Sequence, residues 1–138
     1  MNSIKLLYGG TTKGTFTENI ASFEDLCRRM EQLSLEYRAL LHIPFSVDLV
    51  REGEGRMSVG LGEEQWMLFY TSEDGDVRNS LGDMKATGTT VFFFGDYTDY
   101  TELPNKYLVP AEKALEAVKF WFEEDKLSND INWTTEIF

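Results

Sequence analysis

Ile4, Leu6 and Tyr8 share one side of a two-residue alternation that starts at Ser3, and the spacing predicts a first strand. Gly9 to Thr17 carries three glycines and four threonines and reads as a turn or loose hairpin. The period then changes. Phe23, Leu26, Cys27, Met30, Leu33, Tyr37, Leu40 and Leu41 recur every three or four residues, with Arg28, Arg29, Glu31, Glu36 and Arg38 between them. That is the single buried stripe of a long amphipathic helix. Ser22 is placed to cap its first turn, Asp25 gives a shorter version of the capping-box acid, and Pro44 stops it.

From Phe45 the alternation returns. Phe45, Val47 and Leu49 face one way and Ser46 and Asp48 the other; after a turn at Glu52 to Gly55, Met57, Val59 and Leu61 resume it. Trp66 to Tyr70 is apolar throughout, the mark of a central strand covered on both faces. Asp74-Gly75 supplies hairpin chemistry, because the pair tolerates the positive φ of a tight turn. Val77 to Leu81 and Thr90 to Phe94 read as further strands. An acidic, tyrosine-rich loop from Gly95 leads past Pro104 to Pro110, which opens a second helix ending in Glu123, Glu124 and Asp125. Trp121 and Phe122 lie on its apolar side with Ala114, Leu115 and Val118 and dock it on the sheet. Ile131, Trp133, Thr135 and Ile137 alternate as a terminal strand, and Trp66 and Trp133 are expected in the core. No linker or repeat divides the chain. The pattern predicts an α+β fold: one domain over residues 1–138, a mainly antiparallel twisted β-sheet with two main helices packed on it.

With 138 residues, 42% of them hydrophobic, the chain can bury a real core. No apolar run reaches the ~20 residues of a membrane span, and the N-terminus is not a secretory signal. One cysteine excludes an internal disulfide and agrees with a reducing, cytoplasmic setting. Charge changes the picture most. The chain has 24 acids against 13 bases, a net charge of −11, and 2 − 9 = −7 of it falls between Glu63 and Glu102. Such a field repels phosphate backbones, so direct nucleic-acid binding is not expected, while a basic protein is attracted.

Enzyme chemistry finds little to work with. His42 is the only histidine, so a histidine metal cluster cannot form. It sits at the end of the first helix, where a cationic side chain suits the dipole. Cys27 lies on the apolar stripe, where a free cysteine behaves as a small hydrophobe. Gly53, Gly55, Gly60 and Gly62 open no helix and precede no Lys-Ser or Lys-Thr, so they serve a turn and a strand bend instead of a phosphate cradle. Asp74 and Asp76 flank a glycine but fit no calcium loop. No cofactor or metal is expected.

What remains is a set of surface aromatics beside acids. Asp96, Tyr97, Asp99, Tyr100 and Glu102, with Asp74 and Asp76 from the hairpin turn, are the candidate partner-binding residues. Tyrosine gives a large contact area at low entropic cost, and carboxylates give a partner's arginines and lysines charge-assisted hydrogen bonds. Three readings follow: a protein inhibitor, a small metal-dependent hydrolase using the loop carboxylates, and a general acidic nucleic-acid mimic or adaptor. The order of motifs adds a further argument. Gly60-Leu61-Gly62, the apolar strand Trp66 to Tyr70, the Asp74-Gly75 turn and the strand Val91 to Phe94 come first. Glu102, Pro104, Leu108-Val109-Pro110, the Glu112 to Phe122 helix and Trp133 follow. This arrangement, over residues 55–134, resembles bacterial immunity proteins of polymorphic toxin systems, a family often paired with toxins of the cytidine-deaminase fold. The acidic helix end at Glu123 to Asp125 departs from that pattern. The resemblance implies a non-enzymatic protein that binds one cognate toxin in a one-to-one heterodimer, with a nucleic-acid deaminase as the commonest partner type.

Overall fold

The computed structural model describes residues 4–9, 15–51, 53, 55–94 and 99–136. Among them the chain forms ten strands and two long helices. Strands β1 (Ile4–Gly9) and β2 (Thr15–Ile20) precede helix α1 (Phe23–Leu41). There follow β3 (Phe45–Arg51), β4 (Gly55–Leu61), β5 (Gln65–Thr71), β6 (Val77–Leu81), β7 (Thr89–Phe94) and β8 (Asp99–Pro104). A 3-10 turn (Asn105–Tyr107) and the two-residue β9 (Val109–Pro110) then lead into α2 (Ala111–Glu124) and the closing β10 (Asn132–Thr134). The sheet runs β10-β6-β5-β4-β3-β1-β2, all antiparallel. This is the expected α+β architecture.

One join breaks the antiparallel rule. β7 pairs in parallel with the first two residues of β3, Phe45 with Phe93 and Ser46 with Phe94, and β8 pairs back on β7. The β7–β8 ribbon therefore leaves the main sheet at the start of β3.

Both helices lie on one face. Tyr37 of α1 stacks on Phe45 at 4.2 Å, Tyr70 of β5 meets Trp121 of α2 edge-on at 6.4 Å, and Phe23 meets Phe122 at 5.9 Å between the helices. Strand alternation sends Phe45, Val47 and Leu49 to this face and Ser46 and Asp48 to the other. Asp48 is nonetheless 8% exposed, held by the Arg56 guanidinium and the Ser58 hydroxyl. On the face away from the helices Phe92 of β7 joins Met67, Leu103 and Leu108 in a second, smaller core. Gly60 exists for this contact: a Cβ there would lie 2.8 Å from the Phe92 ring. Met67 and Leu68, neighbours on β5, are both fully buried, so the central strand is covered on both faces as its apolar run predicts.

The first helix follows its pattern closely. Ser22 Oγ accepts from the Asp25 N–H, and Leu26, Met30, Leu33 and Tyr37 are buried. Leu40 does not belong to the stripe; it is 59% exposed. His42, exposed, closes α1 in the left-handed conformation at φ 61°, its N–H bonded to the Arg38 carbonyl. Cys27 is half-buried and burial pushes its thiol up.

Four other expectations change. The hairpin expected over Gly9 to Thr17 is present as the antiparallel β1–β2 pair, but Thr15 to Thr17 belongs to its strand and not to the turn, with Phe16 and Glu18 opposite Tyr8 and Leu6. Asp99 to Pro104 is strand, not loop, since the Phe-rich β7 needs a second partner for its backbone. Trp66 and Trp133 are half-buried instead of core; their indole N–H groups reach out to the carbonyls of Gly62 and Ser128 at 3.1 and 2.8 Å. The terminal strand covers only Asn132 to Thr134; Ile137 lies outside the described residues.

Glu18 ties β2 to α1. Arg29 donates to it at 2.7 and 2.8 Å, and the Tyr8 hydroxyl donates as well. The bonds from Arg29 hold the Glu18 carboxyl below its ordinary 4.5, against the opposing effect of burial. A depressed folded-state value means the pair stabilises the fold above about pH 4.5 and loses that contribution as pH falls through the folded value. The thermal midpoint difference between wild type and Glu18→Gln should therefore shrink as a pH series descends below about 4.5. A difference that grows or holds constant as the series acidifies would contradict the assignment.

Candidate functional site

Where β7 departs from β3, the main sheet and the ribbon bound a cleft of about 860 Å³. Its floor is apolar: Phe92, Leu108, Val109 and Ile131 are all less than a tenth exposed. Its rim is acidic. Glu63 and Glu64 come from the β4–β5 turn, Asp83 from just after β6 and Asp130 from just before β10. Lys113, on the first turn of α2, is the one cation among the described residues lining it. The rim therefore carries 1 − 4 = −3.

Local backbone chemistry sets this geometry. Gly62 lies so close to β5 that a Cβ would sit 2.0 Å from the Gln65 carbonyl, and at Gly82 it would sit 1.9 Å from the Leu108 carbonyl. Only glycine admits both approaches. The Gly82 N–H donates to the Lys106 carbonyl at 2.7 Å, and the Ala111 N–H opening α2 donates to the Glu64 carbonyl at 2.9 Å. Pro110 precedes α2 and offers no side-chain cap. The Glu64 main chain takes that part.

The rim acids are poorly neutralised from within. Among the described residues no ion pair engages Glu64, Asp83 or Asp130. Glu63 reaches Arg38 only at 3.8 Å while 80% exposed. Leu81 pairs with Asn132, so Asp83 and Asp130 each lie two residues beyond the same pair, at the same end of the adjacent strands β6 and β10. A concave, low-dielectric wall focuses such a field. A partner cation 4 Å from one carboxylate gains roughly 1 kcal/mol in bulk water and ~4 at an effective dielectric of 20.

The residues picked out from sequence sit elsewhere. Asp74 and Asp76 are exposed in the β5–β6 turn, where Gly75 takes φ 89° and Asp76 pairs with Arg78 at 2.6 Å. Tyr100 and Glu102 are exposed on β8, with the Tyr100 ring 5.1 Å from Phe93. They pair with Phe93 and Val91, so they occupy the ribbon face turned away from Thr90 and Phe92 and hence from the cleft. Asp99 begins β8, but its side chain, like Asp96 and Tyr97, lies outside the described residues. Turn and ribbon are not brought together. Thr71, next to the turn, pairs with Arg56, which pairs with Val50; the ribbon joins at Phe45, five residues or about 17 Å back along β3.

Sequence reasoning counted Glu63, Glu64 and Asp83 in the acidic segment but assigned them no site, and passed over Asp130. For Glu63, Glu64 and Asp83 the one sequence signal is an acid within two residues of a Gly-containing strand end, as in Gly62-Glu63-Glu64 and Gly82-Asp83; Asp130 has no such signal. Among the described residues no three His, Cys, Asp or Glu side chains are grouped to hold a metal ion, and no helix is long and apolar enough to cross a membrane.

The α+β scaffold thus presents concave acid over an apolar floor, beside a ribbon of tyrosine and carboxylate. Residues 21–135 match the family model for Immunity protein Imm1, and the chain belongs to that family. The match reaches back through α1 and β3, well beyond the stretch whose motifs carry the resemblance in the sequence. A search of curated proteins found no match.

Proposed function

We propose that this protein neutralises one cognate bacterial toxin by stoichiometric, non-catalytic occlusion, through an acidic and aromatic surface laid over the toxin's basic active site or an adjoining exosite. The observation that carries this reading is the Imm1 match over residues 21–135. The charge of −11 and the carboxylates of Glu64, Asp83 and Asp130, which no ion pair engages among the described residues, support it, because a toxin that acts on nucleic acid is basic for the reason that this chain is acidic. Asp74, Asp76, Asp96, Tyr97, Asp99, Tyr100 and Glu102 form the proposed contact set, a one-to-one complex formed in the cytoplasm is the proposed assembly, and a nucleic-acid deaminase is the proposed toxin type. Carboxylates speed encounter and choose the partner, while tyrosines hold it. An interface of ~1,600 Å² suffices for tight inhibition.

The test is co-expression with the toxin domain encoded beside this gene, read as rescue of growth and as one-to-one co-purification. Tyr100→Ala combined with Glu102→Lys should weaken the complex about thirtyfold or more, the scale of one interface hot spot. Both residues are exposed, so circular dichroism and the thermal midpoint should stay at wild-type values. Undiminished protection by this folded variant would remove the ribbon from the interface.

A further inference from the structure

We infer that the acidic cleft between the sheet, the β7–β8 ribbon and α2 is a docking site for a basic segment of the toxin, one whose arginine or lysine lays its aliphatic stem along Leu81, Pro110 and Ile131 and turns its charged head to the acids of the rim. This rests on the immunity reading and deepens it: it adds a second contact region, on the opposite side of the ribbon from Tyr100 and Glu102.

Three independent features point to a cationic, chain-like occupant. The first is shape. The cleft holds about 860 Å³, room for several side chains and too large for a single ion. The second is the layering of floor and rim. Long cationic side chains bury their methylenes on apolar surface and keep the charged head in polar surroundings. Leu81, Pro110 and Ile131 offer the apolar layer, backed by the buried Phe92, and Glu64, Asp83 and Asp130 the polar one. The third is an electrostatic debt the fold does not settle itself. Asp83 and Asp130 leave neighbouring strands at the same end, and no ion pair among the described residues engages either, although the Lys85 N–H donates to the Asp83 carboxylate at 2.9 Å. Carboxylates with no ion pair in the free protein gain from a cation that arrives with a partner. Lys113, on the α2 turn, repels a cation at that end and so directs the incoming charge toward the Asp83–Asp130 side.

The proposal predicts an uncoupling of stability from affinity. Asp83→Asn with Asp130→Asn removes two charges without changing shape. The thermal midpoint should stay or rise, while the dissociation constant for the adjacent-gene toxin domain rises at least tenfold at about 0.15 M salt. Glu123→Gln with Glu124→Gln makes the same charge change at the far end of α2 and should alter affinity less than twofold. If the wild type binds and the cleft variant binds within twofold of it, the docking site is wrong. Equal weakening by both double variants also overturns it, because the charge then acts as a diffuse field. If the wild type forms no complex and gives no protection, the immunity reading itself fails and this one falls with it.

Discussion

Replacing Arg51 with methionine should cost the fold about 2–3 kcal/mol, the scale of charge-assisted hydrogen bonds lost from a buried site whose remaining carboxylate, Asp125, is 42% exposed and can turn to water. Arg51 is the last residue of β3 and is only 4% exposed. One of its terminal nitrogens donates to the carbonyls of Trp121 and Phe122 at 3.0 and 2.6 Å, the other to Asp125 at 2.6 Å, and the guanidinium lies 4.6 Å over the Trp121 ring. These contacts answer a problem stated in the sequence. α2 ends in Glu123, Glu124 and Asp125, three acids where the helix dipole is already negative and the last carbonyls have no helical partner. Arg51 supplies the missing positive charge and donors from the middle of the sheet. Methionine keeps the packing volume but withdraws these donors, while the Trp121 carbonyl keeps the Asp125 N–H at 2.9 Å. Lysine restores charge without the planar fork, so it should recover only part of the loss. Urea unfolding of the three proteins checks the order wild type, Arg51→Lys, Arg51→Met. A loss under about 1 kcal/mol for methionine would mean that water replaces the arginine at no cost.

Gly82→Ala should cost about 3 kcal/mol, the upper end of the usual range for overpacking. The added carbon would stand 1.9 Å from the Leu108 carbonyl, a backbone atom that cannot turn aside, and the Gly82 N–H is fixed to the Lys106 carbonyl. Relief requires β6 and the 3-10 turn to separate, which opens the cleft along its wall. Gly60→Ala meets a different neighbour, the edge of the Phe92 side chain at 2.8 Å, which can yield by rotation. The expected order of urea midpoints is therefore wild type, Gly60→Ala, Gly82→Ala. Hydrogen exchange should localise the second effect to residues 81–86 and 105–109. A Gly82→Ala protein with a wild-type midpoint would show that the close approach of these two segments is not needed for the fold.

Much of the architecture was legible because it is written in local periodicity. The stripe through Leu26, Met30, Leu33 and Tyr37, the Ser22 cap, the alternation in β3 and β4, the apolar run of β5 and the Asp74-Gly75 turn each depend on neighbours within a few residues. The errors fall where pairing or packing at a distance decides. Thr15 to Ile20 and Asp99 to Pro104 are weak strands by composition, and each becomes a strand through the partner it finds in β1 or β7. Leu40 looked like a core residue by spacing but is exposed, while Leu41 beside it packs against the core.

The sequence by itself determined the acidity, the two amphipathic helices, the strand-rich middle and the likeness to toxin-immunity proteins, since composition, short-range periodicity and motif order survive in any linear reading. Only the tertiary structure decided that β7 joins β3 in parallel, that Phe92 crosses Gly60 to found a second core, and that Glu64, Asp83 and Asp130 converge on one cleft. The reason is one of range. These acids come from three different connections, up to 66 positions apart, and no local preference carries the register that brings them to a common rim.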